Sequence, residues 1–313
     1  MSGGRASGRR RGPGARWLRV GLITACAAAA YVGIRHLPTG TNLSKLDPRK
    51  KDTNPIEFCD PLRPLFMPAE TIPSAVTMTV APVRPEAGRA VELHFTLRTL
   101  TGDPVGPQDL LPSHTKLIHL MVVDPTLTDY EHVHPVPSGG RGSWKVEIRP
   151  RFGGVYRLFA DFTPVVTQRP LYAVADVVVA GRAAKPEVGT VDLTKGPVVA
   201  VGPYRFELIA KHEVKTGTTP GDLALTVTRA DGGLVPMQPL MDAFAHLVAF
   251  DAKRTGFAHM HPLETDITHL PHPHHPTLNF KMALPNRGRY VVWAEVRLAG
   301  RDTFAPFWFE VKR

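Results

Sequence analysis

The stretch "HLMVVDPTLTDYEHVHP", His119–Pro135, has a near twin in "HLVAFDAKRTGFAHMHP", His246–Pro262. Each places a histidine at the head of an apolar run and, after twelve residues, His-x-His-Pro. His119, His132 and His134 fall on His246, His259 and His261 at one constant offset of 127 residues. Further on, "GGVYRLFADF" matches "NRGRYVVWAEV" at an offset of 134, pairing Tyr156 with Tyr290 and Asp161 with Glu295; the loop "THLPHPHHP" absorbs the difference. The chain therefore reads as two copies of one unit.

Around both copies the texture is of short β-branched and aromatic runs separated by turn residues. "AVTMTVAPV", "RAVELHFTLRT", "KLIHLMVVD", "SWKVEIRP", "GVYRLFADF" and "LYAVADVVVA" make one cycle, and a second begins near Val198 with "YRFELIAKHEV". With 31 prolines and 27 glycines and no long stretch of helical period, this predicts antiparallel β-sandwiches. We place the first repeat at 75–180, a linker at 181–197 and the second repeat at 198–313. The polar, proline-rich segment 38–74 reads as a tether.

The net charge of +10 is concentrated at the start, where Arg5, Arg9, Arg10, Arg11, Arg16 and Arg19 stand without an acid; removing these leaves +4 for the remainder. That is a leader at 1–19 and not the spread basic face, interleaved with aromatics, of a nucleic-acid binder. Val20–Ile34 is an uncharged apolar run of fifteen residues, which as a helix covers roughly 22 Å against a hydrocarbon core of roughly 30 Å. The reading is a signal anchor over 20–37, extended by Trp17 and Leu18, with a cleaved export signal as the alternative. By the positive-inside rule the arginines stay in the cytoplasm, which places the domains on the periplasmic side of the cytoplasmic membrane. Of the two cysteines, Cys26 falls in the apolar run, so Cys59 has no intramolecular partner and reads as an unreacted thiol.

If Val123 pairs with Tyr130 in a hairpin, then His119 lies opposite His134 and Met121 opposite His132. Alternation then sends all three imidazoles, with Met121, to one face. The same count brings His246, His259 and His261 together. A slip of one residue would destroy the arrangement. Neutral imidazoles so clustered suit Cu(II) first and Zn(II) second, and disfavour oxygen-seeking cations. Asp161 and Glu295 are candidates either to complete the coordination shell or to orient an imidazole N–H, with Met121, His114 and Met241 as weaker candidates for a fourth position. The loop with His269, His272, His274 and His275 reads either as a flexible metal-capturing tract or as a merely polar loop.

The two motifs, with "GGVYRLFADF" and "GRYVVWAEV", resemble a recurring domain of bacterial secreted and membrane-anchored proteins with a His-Leu-x-Val…Phe-x-His-x-His-Pro core. The resemblance covers most of residues 76–313. It implies an immunoglobulin-like fold and an association with periplasmic metal handling, copper in particular. This chain departs from it with Tyr130 in place of Phe, and with Met121 and Val248 where such domains carry a further histidine.

No Gly-x-Ser-x-Gly elbow, phosphate-cradling glycine loop, His-Glu-x-x-His or Cys-x-x-Cys occurs, which removes the common hydrolase, nucleotide, zinc-protease and thiol-redox readings. A copper oxidase or oxygenase is the remaining catalytic alternative. The expected function is therefore Cu(II) sequestration or handover to a partner protein. The rival is a β-sandwich interaction module of a membrane assembly, with structural or pH-sensing histidines.

Overall fold

The computed structural model describes residues 13–36, 60–64 and 66–312. The start of the arginine leader, most of the tether and Cys59 lie outside the described residues. The chain divides into two compact units, 1–56 and 57–313.

The first unit holds helix α1, Pro13–His36, which begins on a proline as a first helical turn tolerates. The anchor expected over 20–37 thus forms a longer helix that starts earlier. Among the described residues, however, no helix is long and apolar enough to cross a membrane. The cause is compositional: the apolar run is short, and five alanines and two glycines dilute it.

The second unit is all β. A short β1 (Phe66–Met67) precedes the first repeat, which comprises β2 (Val76–Val80), β3 (Val91–Thr99), β4 (Leu110–Leu111), β5 (His119–Val123), β6 (Tyr130–Val133), β7 (Val136–Pro137), β8 (Ser143–Ile148), β9 (Gly154–Pro164) and β10 (Leu171–Val179). The second repeat comprises β11 (Val198–Val201), β12 (Tyr204–Ala210), β13 (Gly221–Arg229), β14 (Met237–Gln238), β15 (Ala245–Asp251), β16 (Phe257–Met260), β17 (Thr277–Met282), β18 (Gly288–Leu298) and β19 (Arg301–Val311).

Each repeat is a sandwich of two antiparallel sheets. In the first, the sheet β2-β3-β8-β7 faces β10-β9-β5-β6, with β4 also on β9. In the second, β11-β12-β13-β17 faces β1-β16-β15-β18-β14, with β19 also on β18. The two cores are built by one parity of each strand. Leu120, Val122, Leu158 and Ala160 join Phe95 and Trp144 in the first, while Leu247, Ala249, Val292 and Ala294 join Phe206 and Phe280 in the second.

The opposite parity makes a third core. Met121, Val123, Tyr130 and Phe159 of the first repeat pack against Val248, Phe250, Phe257, Val291 and Trp293 of the second. The β5-bearing and β15-bearing sheets are thus laid face to face, and β5 and most of β15 are buried on both sides. Tyr130 stacks on Trp293 at 5.5 Å between ring centroids and meets Phe250 edge-on at 5.7 Å, geometries that aromatic quadrupoles favour.

Two segments expected to be connectors are part of this fold. The end of the tether supplies β1, which pairs with β16 through Phe66↔Ala258 and Met67↔Phe257. Gly256 permits that approach, because a Cβ there would overlap the Met67 carbonyl. The linker 181–197 is likewise docked. The Gly153 amide donates to the Arg182 carbonyl, the Val191 amide donates to the Trp308 carbonyl at 2.7 Å, and Leu193 is buried in the second core. A chain with unpaired backbone groups beside an open strand gains hydrogen bonds by lying along it, and a composition rich in proline and charge does not reveal this.

Candidate metal centre

The hairpins carry the register that the sequence predicts. Val123 pairs with Tyr130 and Met121 with His132; in the copy, Phe250 pairs with Phe257 and Val248 with His259. The turns are duplicated to the level of hydrogen bonds. Asp124 Oδ1 accepts from the amides of Thr128 and Asp129, and Asp251 Oδ1 accepts from those of Thr255 and Gly256. Leu127 and Arg254 both take a φ of 58°. Each Asp side chain closes its loop and so holds the parity that sends the histidines to one face.

On that face the triads form as expected. In His119/His132/His134, and again in His246/His259/His261, the ligand-capable atoms of the three side chains lie within 4.8 Å of one another. Coordination at about 2.0–2.1 Å brings such nitrogens to about 3.3 Å apart, so an ion would need only small rotamer adjustments. Because this face is the one that the repeats bury against each other, the triads are adjacent. His259 lies 5.1 Å from both His119 and His132 between ring centroids, and His132 lies 6.0 Å from His246. Six imidazoles form one cluster at the interface.

The carboxylates cross over. Asp161 pairs with His119 along the sheet and Glu295 with His246, yet neither bonds to the triad of its own repeat. Glu295 Oε2 lies 2.7 Å from Nδ1 of His132, and Asp161 Oδ2 lies 3.3 Å from Nδ1 of His259. Of the two roles expected for these acids, orientation of an imidazole is the one the geometry displays.

Burial governs the protonation of this cluster. Desolvation, reinforced by the neighbouring His259, holds His119, His132, His246 and His261 well below the ordinary histidine range. Desolvation with His132 and Lys116 brings His134 down to about 3, and desolvation with His259 brings His114 to about 4. Burial, with the repulsion of Asp302, pushes Glu295 up to about 8.

With neutral rings, the hydrogen bonds of the first triad take one direction. Ser113 offers a carbonyl at 3.0 Å, so His119 must donate from Nε2 and accept at Nδ1. His132 then donates from Nε2 to that Nδ1 at 3.1 Å and accepts at its own Nδ1, where the protonated Glu295 carboxyl donates. These tautomers are assigned from the network. The second triad has no such chain. Both nitrogens of His246 and the Nε2 atoms of His259, His261 and His134 are buried without a hydrogen-bond partner.

The weaker candidates separate. His114 stacks on His261 across the repeat interface at 3.9 Å and stands edge-on to His246 at 6.1 Å. Met241 holds the equivalent place in the second copy and is buried. Met121 is on the expected face but belongs to the apolar contact between the sheets. His269, His272, His274 and His275 are exposed. His269 pairs with Asp266 at 2.7 Å and His272 stacks on His275 at 3.5 Å. Among the described residues, the groups of three or more side chains positioned to hold an ion are the two triads.

The Ser113 carbonyl, the crossing of the carboxylates and the fusion of the triads were not legible in the sequence. One signal was present: "HLMVV" is apolar at both parities, the pattern of a strand covered on both faces.

No curated protein matches the sequence. Among solved structures, the chain is similar to FdeC, an Escherichia coli adhesin, with 14% identity over 80% of this chain and 66% of that one and a TM-score of 0.24. It is also similar to a DUF4785 family protein from Legionella pneumophila, with 8% identity, 76% and 55% coverage and a TM-score of 0.24. A putative membrane-anchored protein from Corynebacterium diphtheriae gives 9% identity, 76% and 59% coverage and again 0.24. The chain thus spans less than two thirds of the length of each, and at these TM-scores the likenesses carry no argument. The family described as "Domain of unknown function (DUF8832)" matches residues 71–178 and again 199–313, each span one sandwich repeat with its histidine triad. The chain belongs to the DUF8832 family and carries its domain twice.

Proposed function

We propose that this protein binds a divalent transition metal, Cu(II) ahead of Zn(II), in the histidine cluster between its two repeats, and that it serves to sequester the ion or hand it to a partner protein outside the cytoplasm. One observation carries this reading: five imidazole nitrogens, on His134, His246, His259 and His261, are buried in the cluster without a partner. A buried polar atom left unsatisfied costs about 1–3 kcal/mol, and these five belong to four rings, each of which can turn one nitrogen to an ion. Burial holds His134, His246 and His261 below the ordinary histidine range and so favours the neutral form that binds metal, and Asp161 at Nδ1 of His259 leaves its Nε2 for an ion as an outer-shell carboxylate does. An all-nitrogen set without thiolate suits Cu(II). The arginine-flanked apolar segment inside α1 supports export of the folded unit.

The rival reading, a structural module whose histidines join the repeats, draws on the saturated hydrogen bonding of His119 and His132. Calorimetric titration of the metal-free full-length chain with Cu(II) and Zn(II), beside a His259→Ala/His261→Ala variant of unchanged circular dichroism, separates the two. Uptake that the variant loses supports the metal site. Absence of uptake by the wild type assigns the histidines to the interface alone.

A further inference from the structure

We propose that His114 is a fourth imidazole for the triad of the second repeat, contributed across the interface by the first, and that the two triads are therefore inequivalent sites. The inference rests on the metal-binding reading above and extends it to the order and composition of the sites.

His114 is held by a turn that the backbone does not adopt without cause. Ser113 and Lys116 exchange backbone hydrogen bonds across a two-residue turn in which His114 and Thr115 have φ of 46° and 68°. Positive φ at both central positions usually requires glycine or asparagine, and such strain gathers where function holds it. The copy repeats the turn at Leu240–Ala243, with Met241 at 52° and Asp242 at 56°. The turn is thus a duplicated part of the domain. What differs is the side chain it presents, imidazole in one copy and thioether in the other.

The turn delivers His114 to the triad that is ready for an ion. His261, on which it stacks, has a free Nε2, and His246, which it meets edge-on, has both nitrogens free. In the first triad, by contrast, both nitrogens of His119 and of His132 are engaged, and an ion must displace those bonds. The second triad has one competing bond, from His259 to Asp161, and that bond leaves Nε2 available. His114 is also less buried than His246 or His261, so its ring has room to turn out of the stack and meet an incoming ion. Four imidazoles, three from one repeat and one from the other, suit Cu(II) or Zn(II), and an ion so held ties the repeats together.

The test titrates the metal-free full-length protein with Cu(II) past two equivalents by calorimetry and reads the nitrogen superhyperfine pattern in electron paramagnetic resonance at one equivalent. His114→Asn keeps a residue that tolerates positive φ. The expected result is four coordinating nitrogens in the wild type and three in the variant, with the first equivalent bound at least ten-fold more weakly and the second unchanged. An isotherm and a nitrogen pattern that the variant leaves intact would overturn the role of His114 while sparing the metal site. Three or fewer nitrogens in the wild-type complex overturn it too, whatever the variant does to the fold. A wild type that takes up no copper sinks both.

Discussion

Nδ1 of His132 in the first repeat lies 2.7 Å from Oε2 of Glu295 in the second, 163 residues away, with both side chains out of contact with water. Burial lowers the imidazole and raises the acid, and with both neutral the hydrogen bonds running from Ser113 leave Nδ1 of His132 to accept from the protonated carboxyl. Glu295→Gln should then keep a donor at the same place and change stability by no more than about 1 kcal/mol, whereas Glu295→Ala, which orphans the imidazole, should cost about 2–3 kcal/mol. Denaturant unfolding of both variants checks this. A loss of about 3 kcal/mol or more in Glu295→Gln would indicate a buried ion pair instead.

Acid should loosen the metal-free protein. Histidines with a lowered folded-state pKa bind fewer protons folded than unfolded, so their stabilisation is complete above about 6.5 and is lost as the pH falls toward the folded values, about 4 for His114 and about 3 for His134. Glu295, raised to about 8, and Glu131, raised to about 7, act oppositely and lose stabilisation as the pH rises from 4.5. The histidines outnumber these acids. Unfolding midpoints measured from pH 4 to 8 should therefore peak near neutrality and fall steeply on the acid side; a flat profile below pH 6.5 would contradict the burial of the cluster.

Phe250 is fully buried between the repeats, 5.7 Å from Tyr130 and 5.8 Å from Phe159 between ring centroids. Truncating it to alanine should cost about 3–5 kcal/mol. Because the third core belongs to both sandwiches, the wild type should unfold in one transition by calorimetry. Two resolved transitions in the wild type would show that the repeats stand independently.

At Gly256 a side chain has no room beneath the Met67 carbonyl. Gly256→Ala should release β1 from β16 while the sandwiches stay folded, read as new proteolytic cleavage between residues 60 and 75 with unchanged near-ultraviolet circular dichroism. Unaltered resistance would mean that the backbone absorbs the methyl group.

The histidine triads were legible because they depend on local rules. A period of two and an Asp-closed hairpin decide which of His119, His132 and His134 share a face, and the constant offset of 127 residues carries the result to His246, His259 and His261. The all-β class and the duplication follow from the same short-range patterning. The spanning helix did not, since apolar length was judged without the dilution by alanine, and neither did the docked linker and tether end, whose partners are strand edges far away in the chain.

What the sequence by itself determined, then, is parity: which side of each strand is histidine, carboxylate or apolar. Only the tertiary structure decided what that side meets. Glu295 reaches His132, Asp161 reaches His259 and His114 reaches His261 because Tyr130, Phe250 and Trp293 bury themselves against one another and draw the two sheets face to face. Burial of apolar area is non-directional and joins surfaces by shape, so no spacing along the chain encodes which residues it will bring together.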